Sequence, residues 1–267
     1  MTASTAATSK SSGAASSSPA SNGAPLLELR DVEASYGPFR SLFGVSFTVR
    51  EGSVMALLGS NGSGKTTVVR VCCGLLKPTT GQLLYQGDDI TGKRPFRLAR
   101  IGIVHAPEGR SVFSTLTVEE NLQLTFRQVF GRRGAKAALQ KAFDQFPRLG
   151  ERRHQIAGTL SGGEQRMLSL ARVLVHEPKL LITDELSLGL APVIIDEVYR
   201  TLATIREHGT SLLIVEQHVH QALTLADDVV VMSKGKVALA GPVGELGDVT
   251  ESILPAVHGE LPSNGGR

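Results

Sequence analysis

Residues 59 to 66 read Gly-Ser-Asn-Gly-Ser-Gly-Lys-Thr, the spacing G-x-x-x-x-G-K-[ST]. Glycines at Gly59, Gly62 and Gly64 let a backbone curl until successive N–H groups point at phosphate oxygens, and Ser60, Asn61 and Ser63 supply the remaining amides of the curl. Lys65 would then bring a point charge to the outer phosphates, Thr66 a hydroxyl to a Mg²⁺ ion, and Thr67 the next amide of the following helix. A glycine-rich turn that merely precedes a helix is the competing interpretation. The apolar run Val54 to Leu58 before it and a helical pattern after it place the loop where a phosphate cradle must lie.

A second run, Leu180-Leu181-Ile182-Thr183-Asp184-Glu185, is an apolar strand ending in two carboxylates. Alone, such a pair more often complements a helix N-terminus. Beside a phosphate loop it has the chemistry of phosphoryl transfer: Asp184 would hold Mg²⁺ and Glu185 would polarise the attacking water.

The elements that must position these groups are legible around them. Apolar runs at Leu26–Val32, Ser46–Arg50, Ile101–Val104, Leu212–Val215 and Val229–Met232 alternate with helical segments, predicting an α/β fold with a mainly parallel sheet. After Gly64, Val68, Val71, Cys72 and Leu75 recur at helical spacing, and Pro78 is the expected stop. Between about Arg94 and Gln165 amphipathic segments at Glu119–Val129 and Ala135–Phe146 dominate, predicting an inserted helical lobe. Residues 1–25 are nearly all small or polar, with Lys10 the only charge, and are expected to be a disordered tail without the apolar core of an export signal. Residues 26–248 are expected to form the domain, and residues 249–267 a C-terminal tail.

Composition narrows the partners. The 267 residues carry 41% apolar and 20% charged side chains, which is globular, and a net charge of +3 spread along the chain, too weak a basic footprint for nucleic acid. The two cysteines, Cys72 and Cys73, are adjacent and cannot bridge elements, which points to a reducing compartment. No run approaches the ~20 apolar residues of a membrane span, so any work at a membrane needs a partner that crosses it.

Leu160-Ser161-Gly162-Gly163-Glu164-Gln165 decides among phosphate-loop classes. Ser161 and Glu164 make a capping box for a helix bearing Met167, Leu170, Ala171 and Leu174 on one face. Gly162 and Gly163 cost that helix roughly 1 kcal/mol each relative to alanine, so the backbone is expected to approach something closely. With these motifs in order, the chain resembles the ABC ATPase family across residues 26–248. The resemblance implies hydrolysis of ATP with Mg²⁺, with Ser161, Gly162, Gly163 and Glu164 of one subunit closing over nucleotide held by the phosphate loop of another. It implies that Tyr36, upstream of the loop, stacks on adenine.

Within the family, His105-Ala106-Pro107-Glu108-Gly109-Arg110, Ser187-Leu188-Gly189-Leu190-Ala191-Pro192 and Val215-Glu216-Gln217 resemble the second, LivF-type ATPase subunit of branched-chain amino acid importers, a type that also serves urea and amide systems. The implied setting is the cytoplasmic face of the cell membrane, held there by transmembrane permease subunits. The second ATPase subunit is expected to be a different, related chain, with a homodimer as the alternative. A soluble mechanical switch, or a regulatory subunit with weak hydrolysis, are the rival classes.

Three positions depart from the common pattern. Glu108 replaces a glutamine that links the γ-phosphate site to the membrane subunit, so its Mg²⁺ or water contact would differ from an amide's; Leu186 replaces the proline after the catalytic acid; and Gln217 stands at the switch-histidine position, 32 residues after Glu185, with His218 behind it. An amide NH₂ can donate to a phosphate as an imidazole can, so Gln217 is the expected contact, with His218 turned away if the strand alternation of Leu212 to Val215 continues; a shifted loop would bring in His218 instead, or the site would have no working sensor.

Overall fold

The computed structural model describes residues 23–106, 112–174, 177–217, 219–246, 253 and 257. Expectations for the first 22 residues, Glu108, His218 and most of the C-terminal tail lie outside the described residues.

Strands β1 (Pro25–Tyr36) and β2 (Phe39–Arg50) form a hairpin that closes at Gly37, whose φ of +58° suits glycine. Strand β1 runs further than the apolar pattern suggested because its register shifts between Leu29 and Val32, at Asp31 with φ +47°. That bulge moves the buried set from Leu27 and Leu29 to Val32 and Ala34, a change of parity that hides the strand from a period-two reading. It also carries the strand on to Tyr36. With β4 (Thr80–Tyr85) and β5 (Asp88–Asp89) the hairpin makes an antiparallel sheet in the order β2-β1-β4-β5.

The second sheet has the order β10-β9-β3-β8-β7-β6, built from β3 (Val54–Leu58), β6 (Ile103–Ala106), β7 (Leu180–Asp184), β8 (Ser211–Glu216), β9 (Asp228–Ser233) and β10 (Lys236–Pro242). All its pairings are parallel except β9 with β10. Strands β3, β7 and β8 are buried at every residue, as expected for a sheet covered on both faces. Strand β6 belongs to this sheet, so the helical part of the inserted stretch begins after it.

Helix α1 (Lys65–Cys72) is shorter than its apolar spacing predicts, and Pro78 is not its stop. Gly74, at φ +70°, ends it; a Cβ there would sit 2.3 Å from the Lys93 carbonyl, so the turn requires glycine. Leu75, expected on the buried face, is therefore 58% exposed. After α2 (Pro95–Arg100) come the lobe helices α3 (Val118–Gln145), kinked at Gly131, α4 (Pro147–Glu151) and α5 (Gly162–Leu174), then α6 (Pro192–Glu207) and α7 (Val219–Leu225). Helix α3 starts at a capping box of Thr117 with Glu120. Buried Asn121 ties the preceding segment to it through both the N–H and C=O of Phe113.

Among the described residues, three apolar clusters hold these layers together. One lies between the antiparallel sheet, α1 and one face of the parallel sheet; a second joins Leu122, Phe126, Phe143 and Leu168 of the lobe to Leu181, Leu212 and α6; a third gathers α7 and β9 with Ile253 and Val257. No helix among the described residues is long and apolar enough to cross a membrane.

Candidate nucleotide site

The phosphate loop leaves the buried strand β3 and turns into α1 through left-handed backbone. Gly59 (φ +152°), Gly62 (+77°) and Gly64 (+109°) all adopt it. A Cβ on Gly59 would lie 2.5 Å from both the Met232 carbonyl and Ser63 Oγ, whereas at Gly62 it would meet nothing within 4 Å, so one glycine serves packing and the other an open cradle. No side chain caps α1, which leaves its first amides for an anion. Lys65 is buried in the cradle, donating from Nζ to the carbonyls of Gly59 at 2.8 Å and Ser60 at 3.2 Å. Thr66 is exposed at the first turn, while Thr67 is turned inward with its hydroxyl 2.8 Å from Ser41 Oγ, so toward the loop it offers its backbone.

Strand order brings the acids to this loop. Strand β8 lies between β3 and β7, so the phosphate loop, the acid pair and the residues after β8 leave the same end of the sheet as neighbours, the usual place for a ligand in a parallel sheet. Asp184 ends β7, buried. Glu185 follows at φ +47°, a conformation that costs a side-chain-bearing residue about 1–3 kcal/mol and collects at functional sites. Its N–H donates to Val215 O at 2.9 Å, and its Oε1 lies 3.8 Å from Lys65 Nζ. Burial lowers the pKa of Lys65, opposed by the charges of Glu185, Asp184 and Glu216.

Gln217 occupies the gap between loop and acids. Its Nε2 donates to Asn61 Oδ1 at 2.6 Å and to Glu185 Oε1 at 2.9 Å, joining the phosphate loop to the acid through one amide. Strand alternation gives no guide to His218, because β8 ends at Glu216. Leu186, in the place of a proline, buries its side chain in the lobe's core cluster, so packing fixes the turn that a ring would have fixed. The links that sequence reasoning missed, Asn61 to Gln217 and Glu216 to Ser187, follow from strand order, which no short motif spells out.

Tyr36 stands beside the loop, 39% exposed, with Arg70 Nη1 donating to its hydroxyl at 3.3 Å and the guanidinium 5.6 Å from its ring centroid. Ser161 and Glu164 form the expected capping box, Ser161 N–H to Glu164 Oε2 at 2.9 Å and Glu164 N–H to Ser161 Oγ at 3.3 Å. Burial would raise the Glu164 carboxyl, but the hydrogen bonds from Ser161 and the charges of Arg152 and Arg148 hold it below its ordinary range. The close approach at Gly163 has an internal cause: a Cβ there would lie 2.1 Å from Ile194 Cγ2 of α6. At Gly162 a Cβ would meet only Leu190 Cδ2 at 3.4 Å.

The family model described as ABC transporter matches residues 42–187, which runs from β2 through both motifs to the turn after the acids. The chain belongs to the ABC transporter family. It is an ATPase of that family, and the α/β core with its helical lobe is the ATP-binding cassette fold. Among curated relatives it is 40% identical to the high-affinity branched-chain amino acid transport ATP-binding protein BraG of Pseudomonas aeruginosa, over 80% of this chain and 91% of that one. It is 34% identical to the probable branched-chain amino acid transport ATP-binding protein LivF of Archaeoglobus fulgidus, over 83% and 94%. Among solved structures it resembles a nucleotide-free ATP-binding cassette of an ABC transporter at TM-score 0.73 and 27% identity, covering 82% of this chain and 92% of that one. It also resembles a cassette in its ADP conformation at TM-score 0.74 and 26% identity, covering 84% and 94%.

Proposed function

We propose that this subunit powers an importer of branched-chain amino acids, or of related small solutes such as urea or amides, from the cytoplasmic face of the membrane. The relatives named for branched-chain amino acid transport support the solute class. Permease subunits provide the membrane span, and a second, related ATPase subunit, or a second copy of this one, completes two nucleotide sites. The observation that carries the ATPase mechanism is the Gln217 amide spanning Asn61 and Glu185 beside Lys65.

The roles follow from chemistry. The amides of residues 59–67 and the Lys65 ammonium bind the triphosphate, Tyr36 stacks on the base, and Glu185 accepts the proton of the attacking water. Gln217 turns one of its two N–H groups from Asn61 to the γ-phosphate and keeps the other on Glu185, holding that carboxylate in place. Ser161 to Glu164 meet the nucleotide of the partner subunit. The donor set suits Mg²⁺: hard oxygens from Thr66 and Asp184, with Glu108 as a further candidate. That cation would neutralise charge developing on the phosphates.

Glu185→Gln keeps the shape and removes the base. Turnover should fall roughly 10² to 10⁴-fold while ATP affinity stays nearly constant. Turnover within about twofold of wild type in the assembled transporter would remove Glu185 from that role, since a lost base costs far more.

A further inference from the structure

Glu216, the last residue of β8, is only 2% exposed, and its carboxylate grips the turn that follows β7. Both of its oxygens bind Ser187: Oε1 accepts from the N–H of Ser187 at 3.0 Å and Oε2 from the Ser187 hydroxyl at 2.7 Å, with Ser187 itself buried. Desolvating a carboxylate is costly, and hydrogen bonds to an ionised acceptor are about twice as strong as neutral ones, so the grip on Ser187 is firm. What the grip fixes is the turn after β7. Glu185 N–H is bound to Val215 O and Ser187 to Glu216, so residues 185 and 187 are strapped side by side to the end of β8, with the Leu186 side chain sunk in the core between them.

The strap bears on the strained residue. Glu185 sits at φ +47°, which an acid adopts only when its surroundings impose it. Relaxing that angle would swing its carboxylate away from Gln217 and Lys65, both of which it now meets. We propose that Glu216 is a positioning residue for ATP hydrolysis: by clamping Ser187 it holds Glu185 in the left-handed conformation that aims the carboxylate into the nucleotide crevice. The inference rests on Glu185 being the base. The same strap sets where the segment from Leu188 to Ala191 leaves the site, since that segment begins at the clamped serine.

The test compares Glu216→Ala, Glu216→Gln and Ser187→Ala in the assembled transporter for turnover, and in the full chain for ATP affinity and for amide hydrogen exchange across residues 185–187. Glu216→Ala should lower kcat at least about tenfold with KM and ATP affinity within about threefold, the pattern of a lost transition-state contact. Exchange at Glu185 and Ser187 should quicken. In Glu216→Gln the amide oxygen can still accept from the Ser187 N–H and its NH₂ can donate to the hydroxyl, so most of kcat should return. If the alanine variant does not fold, Ser187→Ala, which deletes only the hydroxyl bond, must show the same split to a smaller degree. A kcat within about twofold of wild type in Glu216→Ala, equal damage in Glu216→Gln, or unchanged exchange would each overturn the proposal, because a clamp on the base must alter both rate and protection. Normal turnover in Glu185→Gln would instead overturn the base assignment, and the exchange data would still judge the strap.

Discussion

Gly163→Ala tests how the family's signature segment is held. The added methyl would sit 2.1 Å from Ile194 Cγ2 and 3.3 Å from two further Ile194 carbons, against the ~3.5–4 Å of a relaxed carbon contact. Ile194 or the α5–α6 pair must therefore yield by about 1.5 Å. Overpacking of this size costs about 1–3 kcal/mol, and because Gly163 is in the first turn of α5 the gain from replacing a helical glycine is at most about 1 kcal/mol. The net loss of about 1–2 kcal/mol should lower Tm by about 2–6 °C for a domain of this size. Ile194 is half-buried, so Ile194→Ala alone should cost little and, combined with Gly163→Ala, should restore most of the loss, with a coupling of about 1 kcal/mol or more in a double-mutant cycle by thermal or urea unfolding. ATP binding by the isolated subunit should be unchanged. A stabilised Gly163→Ala, or strict additivity with Ile194→Ala, would refute the packing argument. Gly162→Ala, which meets only Leu190, should leave Tm within about 1 °C yet impair turnover in the assembled transporter, and so is the cleaner probe of the partner's nucleotide.

Gln217→Ala should lower turnover well beyond His218→Ala, and Gln217→His should keep most activity, measured as kcat in the assembled transporter; the opposite ranking would move the switch to His218. Burial lowers the pKa of His105 to about 4 from 6.5, so the unfolded chain binds the extra proton first. The stability this residue gives is whole above pH 6.5 and is lost as pH falls toward 4, by roughly 1–3 kcal/mol, and His105→Leu should flatten that part of the urea-midpoint profile. Phe126→Ala, in the middle of the lobe core, should cost about 3–5 kcal/mol by the same assay; a loss under about 1 kcal/mol would mean the lobe repacks around it.

The local pieces of the candidate site were legible in the sequence because they depend on short-range spacing. The curl of residues 59–66, the acids after an apolar strand and the Ser161–Glu164 box are each set by residues within one turn or strand, and so were β3, β7, β8 and β9, whose apolar runs leave little choice of burial. Other features depended on distant partners. The end of α1 lies at Gly74 because the Lys93 carbonyl crowds it, the extension of β1 to Tyr36 depends on a bulge that changes which residues face inward, and Gly163 is fixed by Ile194 on another helix. Most of all, the order β3-β8-β7 decided which residue stands between the phosphate loop and the acids. Local sequence specifies a strand's burial and its end, but not its neighbours, since strand pairing joins residues far apart in the chain; Gln217 meets Asn61 across 156 positions only because β8 is inserted between the strands that lead into the phosphate loop and the acid pair.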